Sequence, residues 1–125
     1  MTVYNPLEKM RAILSDYLDT PAAEAIQDKY GESLEKLEDA TVAIVLLSAT
    51  MAIAFSYQEN PEEHSERLNI AYEAEREAGV SAELLSLLQE LDAEVTRCDA
   101  AAWVEFLSAV LGERAAIEEA GIEDY

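Results

Sequence analysis

The sequence predicts an all-α fold: a single-domain bundle of five or six helices, spanning residues 1–125, around a long apolar central helix. Asn-Pro and Thr-Pro pairs at predicted starts and glycines at predicted ends are typical of helices. Apolar residues recur at helical spacing, and no alternating run indicates a strand. Since half of the 125 residues are hydrophobic, the chain can bury one core despite its charge.

The first two helices are predicted from their prolines. Asn5-Pro6 opens a helix that reaches about Leu18, and Thr20-Pro21 opens a short one that Gly31 ends. The apolar face of the first helix consists of Leu7, Met10, Ile13, Leu14 and Tyr17.

The central helix is predicted over residues 34–58, with Ser33 as its N-cap. Residues 42–55 are apolar nearly all round, and a helix of this kind is normally surrounded by others. Leu46 and Ile53, seven residues apart on this helix, are therefore expected in the core.

The same region has to be considered as a membrane span, because residues 40–58 carry no formal charge and ~20 residues cross a bilayer. Acidic residues flank it on both sides, namely Glu38, Asp39 and Glu59. Spans normally have Lys or Arg at one end and fewer interrupting hydroxyl residues. A buried core helix is therefore favoured over a membrane helix.

Another helix is predicted from Asn60-Pro61, with Glu63 placed as in a capping box, to Gly79. Its buried side is expected to comprise Leu68, Ile70, Ala71 and Tyr72. Ser81 then caps a leucine-rich helix.

The last predicted helix has Asp99 as its cap and an apolar face from Trp103 to Leu111. Gly112 is expected to break it before a final turn that ends at Ala120.

The charge balance restricts the possible partners. Eight basic and 27 acidic residues give a formal net charge of -19, which opposes direct binding to nucleic acid or to a membrane. A protein with a basic surface, possibly one that binds nucleic acid, is the expected partner. Cys98 is the single cysteine, so we expect no disulfide framework, and with no export signal recognised at the N-terminus we expect a cytoplasmic protein.

Few residues suit catalysis. His64 is the single histidine, which excludes sites that need two, and a nucleophilic Cys98 would depend on His64 packing against it. Glu62, Glu63 and His64 are adjacent, but acids in a first helical turn favour the positive end of the helix dipole, so a metal is not inferred. With 27 acids, close carboxylate pairs arise by chance. We expect no enzyme activity, no cofactor and no metal.

The acidic residues supply the candidate binding site, because they recur at near-helical spacing. A four-residue step advances ~6 Å along a helix, similar to the roughly 6–7 Å between neighbouring phosphates of a strand. The residues predicted to contact a partner are Glu24, Asp28, Glu32, Glu35 and Asp39 in one stripe and Glu62, Glu66, Glu73 and Glu77 in another.

Three functions from different classes follow. The first is an inhibitor that mimics nucleic acid and covers a basic surface, of the type that phages and mobile elements use against restriction or CRISPR systems. The second is a helical adaptor or chaperone that holds a partner segment in a groove, with exposed anchors such as Tyr4, Tyr57 or Tyr125. The third is a bundle whose acidity reflects salt adaptation, with an unrelated function. Mimicry requires the acidic stripes to share one face.

Overall fold

The computed structural model describes residues 12–57, 73, 75–94 and 96–121, and within these ranges the chain is helical and contains no strand. The all-α fold predicted from the sequence is confirmed. A 3-10 helix (Leu14–Asp16) precedes four α-helices, which are α1 (Pro21–Tyr30), α2 (Asp39–Ser56), α3 (Ala82–Glu94) and α4 (Arg97–Glu119).

The described core is built mainly from two helix pairs, α2 packed on α4 and α1 packed on α3. Phe106 of α4 is fully buried. Its ring lies 5.8 Å from that of Trp103 and 5.5 Å from that of Tyr17, centroid to centroid. Because Tyr17 directly follows the 3-10 helix, this aromatic cluster joins that region to α4. Burying an aromatic side chain of this size stabilises a fold by ~3 kcal/mol at most.

The predicted boundaries of α1 and the start of α3 are confirmed. The Thr20 hydroxyl accepts a hydrogen bond from the Ala23 N–H at 3.2 Å, and Gly31 follows α1 with a φ of 101°. Ser81 accepts from the Leu84 N–H at 3.1 Å. These hydroxyls satisfy backbone donors that the first helical turn leaves without a partner.

The predicted first helix is wrong in its described part. Only Leu14–Asp16 forms a helical turn, and Ile13 before it is extended. The Leu14 N–H donates to the carbonyl of Glu32 at 2.8 Å, so this donor is used in a tertiary contact instead of a helical one. The earlier part of this prediction, including Leu7 and Met10, lies outside the described residues.

The predicted start of the central helix is also wrong, because α2 begins at Asp39. Leu34 has a φ of +57°. This is a left-handed backbone conformation, which a residue other than glycine adopts at a cost of ~1 kcal/mol. The Ser33 hydroxyl donates to the carbonyl of Ala12 and is not an N-cap. Full burial of the Leu34 side chain offsets the backbone cost.

The helix α2 is buried on one side only. Val42 and Val45 are buried, whereas Leu47 is 56% exposed. Leu46 and Ile53, expected in the core, are half-buried. The expectation that other helices enclose α2 on all sides is therefore not confirmed by the described residues. In the part of the chain that the structure describes, no helix combines the length and the apolar character that crossing a bilayer requires.

Two predictions for α4 are corrected. Thr96 caps this helix by accepting from the Asp99 N–H at 3.2 Å, so Asp99 lies in the first turn. Gly112 does not break α4, which continues to Glu119 because Ile117 remains on its buried side.

The predicted end of the helix that begins at Asn60-Pro61 is confirmed, since residues 75–77 are helical and Gly79 has a φ of +93°. Its predicted start at Asn60-Pro61, the capping position Glu63 and the expected buried side lie outside the described residues.

Replacing Gly112 with alanine should stabilise the protein by about 0.5–1 kcal/mol, because alanine is the better residue inside a helix. An added Cβ would meet no atom within 4 Å. Urea unfolding measures the change. The matched control is Gly79→Ala, which also has open space but a positive φ, and it should destabilise by about 1 kcal/mol. A destabilised Gly112→Ala variant would contradict a continuous α4.

Candidate functional site

Residues 32–39, which run from just after α1 to the first residue of α2, are rich in exposed acidic side chains. We call them the acidic segment. Half of these eight residues are acidic, and all four carboxylate residues are exposed: Glu32, Glu35, Glu38 and Asp39.

The predicted stripe from Glu24 to Asp39 is therefore not one helical ladder. Glu24 and Asp28 are exposed one turn apart on α1, but Glu32 and Glu35 lie in the acidic segment. Asp39 is the first residue of α2. The regular ~6 Å step ends where Gly31 terminates α1, so the later carboxylates are positioned by tertiary contacts.

Arg114 of α4 holds the acidic segment in place. Its Nη1 donates to the Leu37 carbonyl at 3.0 Å and to Asp39 Oδ1 at 2.9 Å, and its Nη2 donates to the Leu34 carbonyl at 2.8 Å. The Arg114 side chain is only 12% exposed. A hydrogen bond with a charged partner contributes ~1.5–3 kcal/mol, so these contacts give the segment a defined backbone.

Some carboxylates serve as internal acceptors. Glu35 Oε1 accepts from the Ser33 N–H at 2.6 Å. Glu94 Oε2 accepts from the Ala22 N–H at 3.1 Å, and Glu113 Oε2 accepts from the Ala12 N–H at 3.0 Å. Glu94 is the last residue of α3, and its carboxylate reaches the start of α1, where a negative charge is favoured by the helix dipole. Acids of this kind contribute to the fold as well as to the surface charge.

A cleft of about 420 Å³ lies between the acidic segment and the last turns of α4. Its lining combines apolar side chains, carboxylates and the engaged guanidinium. The lining residues are Ser33, Glu35, Leu37, Asp39, Arg114, Ile117 and Glu118.

The second predicted stripe is described only at its end. Glu73 and Glu77 are exposed, whereas Glu62 and Glu66 lie outside the described residues. Tyr57, one of the aromatic anchors expected on the surface, is 65% exposed. The other two anchors, Tyr4 and Tyr125, are likewise outside the described ranges.

Basic side chains are largely engaged within the protein. Of the five that the structure describes, Lys29 forms an ion pair with Glu83, and the Arg97 guanidinium lies 4.2 Å from the centre of the Tyr57 ring. Arg114 pairs with Asp39. The other two, Lys36 and Arg76, are exposed, and Lys36 lies within the acidic segment. Four acidic residues therefore accompany one exposed basic residue in that segment.

Glu75 is a buried acid that the sequence reasoning missed. It is 2% exposed, and its Oε2 has no hydrogen-bond partner. Burial raises the pKa of Glu75 to about 7, a hydrogen bond with Ser48 opposes this rise, and Asp92 adds to it. A signal existed in the sequence: Glu75 lies between the stripe positions Glu73 and Glu77, and two residues turn a helix by ~200°. The Glu75 side chain is therefore expected on the opposite face of the helix from the exposed Glu73 and Glu77.

No match to this chain was found among protein-family models, curated proteins or solved structures. Among the described residues, no three His, Cys, Asp or Glu side chains are grouped so that they would hold a metal ion. Cys98 is exposed and unbonded to another cysteine. The candidate site is therefore defined by its carboxylates and by the cleft beside them.

Arg114→Ala should loosen the acidic segment. The Lys36 N–H bonds the Tyr30 carbonyl, and the Leu37 N–H bonds the Leu34 carbonyl. Loss of ~2 kcal/mol of local stability would accelerate hydrogen exchange of these two amides about 30-fold. Unchanged exchange in α1 separates local opening from global unfolding, and the exposed Arg76→Ala is the control. Wild-type exchange at Lys36 and Leu37 would show that Arg114 does not hold the segment.

Glu75→Gln should change how stability depends on pH. The pKa of Glu75 is raised from 4.5 to about 7 on folding. Between pH 4.5 and about 7 the folded state therefore binds more protons at Glu75 than the unfolded state does. Its contribution to stability is complete below pH ~4.5 and is lost as pH rises to ~7, by at most about 3 kcal/mol. The glutamine variant lacks this loss.

Urea unfolding at about pH 5 and pH 7.5 measures this effect as a difference between variants. Other titrating carboxylates cancel in that comparison. The exposed Glu77→Gln should retain the wild-type pH dependence. Equal pH dependence in Glu75→Gln and the wild type would mean that Glu75 titrates normally.

Proposed function

We propose that this protein is a non-enzymatic binding module that covers a basic, nucleic-acid-binding surface of another protein. In this function it acts as a nucleic-acid mimic, of the anti-defence type used by phages and mobile elements. The observation that carries the proposal is the acidic segment, because its exposed carboxylates stand on a backbone held by Arg114.

Rigidity favours such binding. Ordering one residue of a flexible chain costs ~1–2 kcal/mol of backbone entropy, and a partner would have to offset this cost for each residue of a mobile acidic loop. The backbone bonds and the Arg114 contacts order the acidic segment before any partner arrives. Preorganised charges therefore leave more of the electrostatic energy available for association.

Charge density also favours a concentrated site. If spread evenly over a surface of 7742 Å², the 27 acids would provide one carboxylate per ~290 Å². A duplex has one phosphate per ~100 Å². An even distribution would imitate a duplex poorly, so mimicry needs a locally denser patch. The acidic segment, preceded along the chain by Glu24 and Asp28 on α1, supplies the strongest described candidate.

A helical adaptor is the second candidate function. It is favoured by Leu47 and Tyr57, which are large exposed hydrophobic residues on or next to α2. An adaptor would bind through such apolar anchors, and its affinity would depend little on salt. A bundle whose acidity reflects salt adaptation would bind through neither surface.

Charge reversal in the acidic segment tests the mimic. Glu32→Lys with Glu38→Lys should lower capture of a basic partner from a cell lysate at least tenfold, because attraction is replaced by repulsion. Glu90→Lys with Glu105→Lys makes the same charge change at exposed positions on α3 and α4 and should retain most of the binding. Added duplex DNA should compete, and molar salt should release the partner. Circular dichroism verifies that both variants fold.

Other outcomes identify other functions. Binding that survives salt and both pairs of reversals, but fails in Leu47→Ser or Tyr57→Ala, would replace the mimic with the adaptor. Equal losses in the two reversed pairs would indicate a diffuse charge effect without a defined site. Either result would contradict the proposed role of the acidic segment.

A further inference from the structure

We infer that the cleft between the acidic segment and α4 receives a single arginine side chain of the partner. This inference rests on the proposed function, since it names the group of the basic partner that the site recognises. The cleft volume of about 420 Å³ falls in the ~300–1,000 Å³ range of small-ligand sites.

The charge of the cleft favours a cation. Arg114 is the one positive group among the lining residues, and it already donates to two carbonyls and to Asp39. Its charge is therefore balanced within the protein. The lining also includes Glu35 and Glu118, so its acidic residues outnumber its basic ones by three to one. The lining as a whole is anionic, which opposes a phosphate or a carboxylate ligand.

The apolar part of the lining selects the shape of that cation. Leu37 is half-buried, and Ile117 is buried on α4. An arginine side chain has a three-carbon stem that packs on such surfaces, while its charged end stays at the polar rim. A small inorganic cation would leave this apolar surface without a contact. The combination of apolar and acidic lining therefore fits a long basic side chain.

Arginine is preferred to lysine at this site. A guanidinium is planar and presents five N–H donors, so that it can bond carboxylates on more than one side. An ammonium group is compact and more strongly hydrated. Its fork of N–H donors also matches both oxygens of a carboxylate such as that of Glu118, which lies in the lining.

The test titrates a defined peptide into the whole protein and follows backbone amide signals by NMR. Acetyl-Gly-Arg-Gly-amide should bind in a saturable way and shift the signals of residues 33–39 and 114–118. A matched peptide with norleucine in place of arginine keeps an aliphatic stem but no charge, and it should bind at least tenfold more weakly. A lysine peptide should lie between the two.

Variants locate the binding. Glu118→Gln should lower the affinity for the arginine peptide about fivefold to tenfold. Glu105→Gln, at an exposed position elsewhere on α4, should leave that affinity unchanged. Shifts outside the cleft, or equal binding of the norleucine peptide, would overturn the inference while leaving the proposed function to the charge-reversal experiment. Conversely, specific peptide binding with no effect of the acidic-segment reversals would retain the cleft as a site for arginine and reject the mimic.

Discussion

The contacts of Arg114 with the acidic segment are the constraint on which the rest of the candidate site depends. The Arg114 side chain is only 12% exposed, and a charge so largely removed from water is tolerated only when it is paired and hydrogen-bonded. Two carbonyls and the Asp39 carboxylate meet that requirement. The helix α4 must continue through Gly112 to bring Arg114 to this position, so the length of one helix determines the geometry of a distant turn.

The acidic residues have different physical roles in this protein, although they are equivalent in a charge count. Glu94 and Glu113 accept backbone hydrogen bonds from other parts of the chain, and Asp39 balances Arg114. Glu75 is buried, and its raised pKa brings its titration close to neutral pH. The exposed carboxylates of the acidic segment are the ones on which the proposed function depends. The net charge of -19 therefore measures the long-range field and does not identify the surface that binds.

The described surface also contains apolar groups that a purely electrostatic function does not need. Leu47 is exposed on α2, and Tyr57 covers the Arg97 guanidinium with its ring. Single exposed hydrophobic residues are common on soluble proteins. They matter here because they offer the physical basis of the competing adaptor function, whose contacts would be insensitive to salt.

Local sequence determined the helical class and several boundaries, because caps and helix ends act through neighbouring residues. Thr20, Ser81, Gly31 and Gly79 all occupy the predicted positions at helix ends. Neighbouring residues were not enough to predict the structure where a residue distant in sequence forms the hydrogen bond that a local helix would have used. The Leu14 N–H bonds Glu32, the Ser33 hydroxyl bonds Ala12, and Leu34 takes a left-handed conformation as its side chain is buried.

The candidate site follows the same division. The sequence by itself determined that acids are abundant, that most occupy polar helix positions, and that Glu24 and Asp28 lie one turn apart. Only the tertiary structure decided that Glu32 and Glu35 leave the helical ladder, that Glu75 is buried, and that Arg114 lies beside Leu37 and Asp39. The physical reason is distance along the chain: Arg114 and Asp39 are 75 residues apart, and no local periodicity relates residues that meet only when helices pack.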